Sequence, residues 1–227
     1  MHGLQKMTLL DYPGKVACTV FLGGCDFRCP FCHNGTLVDG SAPAALDDGA
    51  LLTFLKKRRG LLDGVCVTGG EPLLRPDLTE LLCAIKALGF LVKLDTNGTQ
   101  PDRLKTLVER GLVDYVAMDV KNSPARYAQT AGVPGLDLNA VRESVSFLLS
   151  GAVDYEFRTT VVKEFHDENS FRDIGLWLTG AKRYVLQSFV DRDTVLCPGL
   201  HSYSRAELEA FAAMLRPLVP TVELRGV

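Results

Sequence analysis

Gly23-Gly24-Cys25-Asp26-Phe27-Arg28-Cys29-Pro30-Phe31-Cys32-His33 places three cysteines within eight residues, spaced C-x3-C-x2-C, directly after the apolar segment Val16 to Phe21. A short loop leaving a strand can turn three thiolates toward one inorganic centre and leave a fourth coordination position unfilled by protein. Outward from this loop, β-branched apolar segments alternate with helical patterns. Val16 to Phe21, Val65 to Thr68, Phe90 to Leu94, Tyr115 to Val120, Tyr155 to Val162 and Tyr184 to Phe189 predict strands. Asp47 to Arg59, Asp77 to Leu88, Pro101 to Arg110, Leu138 to Leu149, Glu168 to Leu178 and Ser204 to Leu215 carry apolar residues at helical spacing.

The punctuation agrees with this division. Pro101 suits a first helical turn, Gly89 and Gly111 follow helix ends, and Ser204-Arg-Ala-Glu207 is a capping-box pattern. Alternating strands and helices imply an α/β fold with a parallel sheet and right-handed crossovers, either doubly wound or curled into a barrel. In both, ligands gather at the carboxyl ends of the strands. Four consecutive strand ends here carry polar or glycine-rich chemistry: the cysteine loop, Thr68-Gly69-Gly70-Glu71-Pro72, Asp95-Thr96-Asn97-Gly98 and Asp119-Val120-Lys121.

Composition sets the class. The chain has 227 residues, 47% of them hydrophobic and 23% charged, enough for one domain, residues 1–227, whose core needs no staple. The formal net charge of −2 supplies no long-range attraction to nucleic acid or to an anionic membrane. Seven cysteines, with no signal segment and no apolar run of membrane-spanning length, predict a reduced cytoplasmic protein. Cys18, Cys66 and Cys83 read as core residues, and Cys197 as a loop thiol.

Three other chemistries compete for the loop. Zinc wants four ligands, and His33, next to Cys32, cannot easily turn to the same ion. Cys29-Pro-Phe-Cys32-His33 matches covalent haem attachment, and Cys29-Pro-Phe-Cys32 a thioredoxin-type dithiol, but both leave Cys25 without a use. An iron–sulfur cluster uses all three thiols.

With the glycine-glycine-glutamate-proline of the second strand end, these residues resemble the radical S-adenosylmethionine (SAM) superfamily. The resemblance implies a partial (β/α)6 TIM-like barrel with parallel strands, the cluster loop at 23–34 and a C-terminal helix and tail at 204–227. It further implies a 4Fe-4S cluster held by Cys25, Cys29 and Cys32, whose open iron chelates SAM for one-electron cleavage to methionine and a 5'-deoxyadenosyl radical. Gly3 through Gly14, which includes Asp11-Tyr-Pro-Gly14, Cys32-His33-Asn34 and the closing Leu224-Arg225-Gly226 are similar to glycyl-radical-enzyme activating proteins, most of all the long form that serves anaerobic ribonucleotide reductase. The partner implied is that reductase's large subunit, and the electron donor an external flavodoxin or ferredoxin.

Carried across by the same resemblance, Gly69, Gly70 and Glu71 receive the methionyl amino group, and Thr96 and Asn97 lie near the cofactor. Lys121 lies near the methionyl carboxylate, Gln187 stands where a relative has a histidine, and Asp95, Thr96 and Asp119 form a monovalent-cation site. Arg158 is read from strand alternation, which puts it on one face with Glu156 and Thr160: facing inward it would bind a carboxylate, and a solvated or salt-bridged strand charge is the competing reading. No side-chain general base is implied, because a hydrogen atom is what moves. Two rival readings remain: a small-molecule radical SAM enzyme such as 7-carboxy-7-deazaguanine synthase, and a non-enzymatic iron–sulfur or thiol redox module.

Overall fold

The computed structural model describes residues 1–38 and 41–227. In chain order these form β1 (Gly3–Thr8), β2 (Ala17–Leu22), α1 (Gly35–Val38), α2 (Asp48–Lys56), β3 (Gly64–Gly69), a 3-10 turn (Pro72–Leu74), α3 (Leu78–Ala87) and β4 (Leu91–Thr96). There follow α4 (Pro101–Glu109), β5 (Tyr115–Asp119), α5 (Tyr127–Ala131), α6 (Asn139–Leu149), β6 (Asp154–Val161), α7 (Glu168–Trp177), β7 (Arg183–Ser188), α8 (Arg205–Leu215) and β8 (Thr221–Arg225). Strand order follows the chain from β1 to β8. The expected α/β class with mainly parallel strands is what forms, and the six expected strands and six expected helices are all present within a few residues of their expected ends.

The chain divides into two compact units. The first comprises Met1–Asp26, Thr36–Ala117 and Ala152–Asp154; the second comprises Phe27–Gly35, Met118–Gly151 and Tyr155–Val227. In the first unit β2 pairs in parallel with β3, and β3 with β4, through Cys18↔Val65↔Val92 and Thr19↔Cys66↔Lys93. Val65, Cys66, Val67, Val92 and Leu94 are all buried, as strands covered on both faces require. Leu51 and Leu55 of α2, Leu81, Leu82 and Ile85 of α3 and Leu104 of α4 are buried with them. Cys18 and Cys66 lie in this core as expected, whereas Cys83 on α3 is only half-buried, within 3.8 Å of Arg110.

Two strands escaped the sequence reading. β1 pairs antiparallel with β2, Gly3↔Phe21, and exposes Gln5, Lys6 and Met7, so it lacks the apolar run that betrays a central strand. The segment between β1 and β2 carries Tyr12, whose buried ring meets Tyr115 at 6.0 Å and lies against Gly64, where a Cβ would come within 3.0 Å of it. The Asp11-Tyr-Pro-Gly14 block therefore packs the amino ends of β3 and β5, opposite the ends that carry the polar chemistry.

In the second unit β6, β7 and β8 are parallel, with Thr160↔Gln187↔Arg225 in register. Phe157, Val161, Tyr184, Val185 and Leu186 are buried, and so are Phe171 and Ile174 of α7 and Leu208, Ala212 and Leu215 of α8. Helix α8 opens with the expected capping box: the Ser204 amide donates to Glu207 Oε2 at 2.7 Å, and the Glu207 amide donates to Ser204 Oγ at 3.3 Å. Beyond α8 the tail forms strand β8. Its polar sequence hides it, but Arg225 donates to both oxygens of the fully buried Glu156 on β6, at 3.1 and 3.3 Å, while Arg183 of β7 approaches Glu156 to 3.9 Å. A buried carboxylate stripped of its partner is strongly destabilising, so Arg225→Ala is expected to cost about 3 kcal/mol in urea denaturation. Arg225→Ala combined with Glu156→Gln should recover part of that loss.

Candidate functional site

In the first unit the ends of β2, β3 and β4 are joined by one buried carboxylate. Glu71 is 1% exposed and follows the last residue of β3 by two positions. Its Oε1 accepts from the Leu73 amide at 3.0 Å and from Thr96 Oγ1 at 2.8 Å, and its Oε2 accepts from the Asn97 amide at 2.6 Å. Its own amide donates to Gly24 O at 2.7 Å, next to Cys25. Thr96 Oγ1 also accepts from the Gly98 amide at 3.1 Å, so the Asp-Thr-Asn-Gly turn is locked from both sides. Asn97 Nδ2 donates to Asp26 Oδ1 at 2.7 Å and lies 4.0 Å from Cys25 Sγ. Burial pushes the Glu71 carboxyl up to about 7, against the opposing pull of the Asn97 and Leu73 amides and the Thr96 hydroxyl.

The two glycines before Glu71 are required by this packing. Gly69 has φ +130°, and a Cβ there would lie 2.1 Å from Leu22 O; a Cβ on Gly70 would lie 2.0 Å from Gly24 O. Side chains at either position would push the exit of β3 away from the backbone that leads into Cys25. The Gly70 amide donates to Leu22 O at 2.9 Å, which fixes the approach. Asp26, which holds Asn97, was missed in the sequence; its position inside the cysteine loop was the available signal.

In the second unit the expected residues of β5 and β6 form a charged cluster. Asp119 Oδ1 accepts from Arg158 Nε at 3.0 Å, and its Oδ2 accepts from Lys121 Nζ at 2.9 Å. Burial alone would raise the Asp119 carboxyl, but the adjoining Arg158 and Lys121 charges outweigh it and hold the group well below the usual carboxylate range. Lys121 is lifted in turn: burial lowers it, and the Asp119 charge more than compensates. Gln187, on β7, is half-buried and makes no side-chain hydrogen bond among the described residues.

The Cys29 to Gly35 stretch is anchored in the second unit. The Arg28 amide donates to Ala131 O at 2.8 Å, beside Gly132, whose φ is +67° and where a Cβ would lie 2.1 Å from Arg28 O. Phe27 meets Tyr127 edge-on at 6.3 Å, and Phe31 lies 5.8 Å from Phe165. The Cys197 amide donates to Pro30 O at 2.9 Å, and His33 stacks on Phe189 with its Nε2 2.6 Å from Val190 O. Cys29 Sγ is buried 3.8 Å from Ala131 O. Burial pushes its thiol up to about 11, with the Lys121 charge pulling the other way.

None of the seven cysteines, all of them among the described residues, forms a disulfide. Among the described residues no three histidine, cysteine or carboxylate side chains converge on a common metal position. Thiols become metal ligands only on deprotonation, and here Cys25 Sγ lies 3.9 Å from Asp26 Oδ1 and Cys29 Sγ 3.8 Å from Ala131 O. The donor set itself, three thiols in eight residues, none in a disulfide, with a lysine charge favouring the thiolate of Cys29, fits an iron–sulfur cluster. The residues expected at a monovalent cation fall in both units, Asp95 and Thr96 in the first and Asp119 in the second. Asp95 is paired with Lys93, Asp119 with Arg158 and Lys121, and Thr96 Oγ1 is committed to Glu71.

Strand ends built in this way match a known class. The Radical SAM superfamily matches residues 19–171, and the chain belongs to that superfamily of enzymes. A Methanocaldococcus jannaschii protein that bears the name of a glycyl-radical enzyme activating enzyme is 30% identical over 210 residues, covering 85% of this chain and 81% of the relative. The pyruvate formate-lyase-activating enzyme of Clostridium pasteurianum is 31% identical over 127 residues, 54% of this chain and 52% of that enzyme. A crystal structure of Streptococcus suis SuiB bound to S-adenosylmethionine shares the fold with a TM-score of 0.73 at 13% identity, over 92% of this chain and 50% of SuiB. The chain thus spans about half the length of the clostridial enzyme and of SuiB. No helix among the described residues is long and apolar enough to cross a membrane.

Gly70→Ala is expected to lower stability by more than about 2 kcal/mol, since the clash is with backbone, and calorimetry would register it. Glu71 makes a pH prediction. Its carboxyl holds a proton in the folded chain up to about pH 7, whereas the unfolded chain releases it near 4.5. Its contribution is therefore complete below the unfolded value and fades as pH rises through 7, by roughly 3 kcal/mol. Urea midpoints at pH 5 and pH 8 should show that fall in the wild type and lose it in Glu71→Gln. An identical pH dependence in both proteins would defeat the reading.

Proposed function

We infer that this protein is a radical SAM activase that places a glycyl radical on a partner enzyme, with anaerobic ribonucleotide reductase as the favoured partner. Cys25, Cys29 and Cys32 would hold the 4Fe-4S cluster. Together the cluster and SAM supply a one-electron cleavage to methionine and a 5'-deoxyadenosyl radical, which takes a hydrogen atom from a backbone glycine of the partner. The chain's own residues bind and orient. Gly69, Gly70 and Glu71 form the strand end that would meet the methionyl amino group, with Thr96 and Asn97 beside it. Lys121 and Arg158 supply positive charge for a carboxylate, and Gln187 an amide.

One observation carries this reading. In the first unit a single buried network ties Gly-Gly-Glu and Asp-Thr-Asn-Gly to the residues flanking Cys25, so the segments the cofactor would need are held by one another. The likeness to a named activating enzyme over 85% of the chain favours a protein partner over a small molecule. Electrons would come from flavodoxin or ferredoxin, in the cytoplasm, with both units acting as one catalytic domain.

The protein reconstituted with iron and sulfide should, with SAM, dithionite and the reductase under argon, give a glycyl signal in electron paramagnetic resonance. Cys29→Ala should lose both the iron–sulfur absorbance and methionine release. Deoxyadenosine formed without a radical on any glycyl radical enzyme would retain the superfamily chemistry and sink the activase assignment.

A further inference from the structure

Lys93 lies on β4 between Val92 and Leu94, and its side chain is 1% exposed. Lysine is almost never buried so completely unless paired. Its ammonium donates to Asp95 Oδ1 and lies 3.8 Å from Cys66 Sγ, while Cys66 Sγ lies 3.8 Å from the same Asp95 oxygen. The arrangement follows from the sheet. Lys93 and Asp95 are two apart on one strand and share a face, and Cys66 stands opposite Lys93 in the β3–β4 register. The row continues to Thr19 opposite Cys66, whose hydroxyl donates to Asp11 Oδ2 at 2.6 Å.

We propose that the Lys93 ammonium is a tethered counter-ion of Asp95, standing where a monovalent metal ion would otherwise compensate that carboxylate, so that this protein folds and binds SAM independently of sodium or potassium. An ammonium carries the same charge as either ion and directs its N–H groups at the carboxylate. A free cation arriving at Asp95 would meet a like charge already seated there. Asp119 has its positive charge supplied within the second unit by Arg158 and Lys121. The Asp95 pairing stands on its own geometry, while the statement about SAM rests on the cofactor reading above.

The test compares thermal midpoints and SAM affinity of the reconstituted protein in potassium, sodium and choline chloride at equal ionic strength. A cation bound only to the folded state raises the midpoint by mass action. The wild type is expected to give the same midpoint and affinity in all three salts. Lys93→Ala is expected to melt lower and bind SAM about tenfold more weakly in choline, and to regain both in potassium or ammonium chloride. Adding Asp95→Asn to Lys93→Ala should abolish that salt response, which locates it at this carboxylate. A wild type that needs potassium overturns the proposal, as does a folded Lys93→Ala indifferent to salt. If Lys93→Ala does not fold, the wild-type comparison alone decides. Failure to bind SAM in every salt defeats the cofactor reading, and the melting comparison without SAM still judges Lys93 separately.

Discussion

A carboxylate buried without donors is prohibitively costly, and the first unit is arranged around meeting that requirement at Glu71. Two of its donors are backbone amides at Leu73 and Asn97, so the turn after β3 and the turn after β4 must both be formed before its oxygens are satisfied. The third, the Thr96 hydroxyl, also holds Gly98. Because the Glu71 amide is spent on Gly24, the same residue sets where the chain leaves β2 on its way to Cys25. Three strand ends that are distant in sequence thus acquire one geometry from one side chain.

The second unit solves a similar problem with opposite charges. Asp119 sits between a guanidinium and an ammonium and stays ionised, and the pair of cations retains a net positive charge beside Cys29. Such clusters add little stability, because desolvation offsets most of the attraction. Their value lies in orientation: Arg158 and Lys121 are held by the carboxylate before any ligand arrives. Glu156 does the same structural work at a distance, drawing Arg225 and Arg183 onto the β6–β8 strands.

Much of this was legible in the chain. The central strands announce themselves because they are buried on both faces and so read as unbroken Val, Leu and Cys runs; the helices announce themselves by caps such as Ser204 and Glu207. β1 and β8 stayed hidden because their residues are polar and their pairing partners lie elsewhere in the sequence. The residues of the candidate site could be named, but not their roles. Gly69 and Gly70 could be named by resemblance, but their missing side chains also leave room for the chain's own backbone, a close approach that no local pattern encodes. Lys93 passed unnoticed because one charge within an apolar strand has no periodic signature; only the register that sets it against Cys66 reveals the pairing.

The anchoring of Cys29 to Gly35 has a consequence for maturation. The stretch is held by Ala131, Gly132, Phe165, Phe189 and the Cys197 amide, all through protein contacts. Zinc-finger domains, by contrast, cannot fold until their ion arrives. Here the Cys29 to Gly35 stretch takes its conformation from protein contacts alone, so its folding waits on no ion. Any group that the stretch takes up is then added to a backbone already in place, and its loss would leave that backbone where it was.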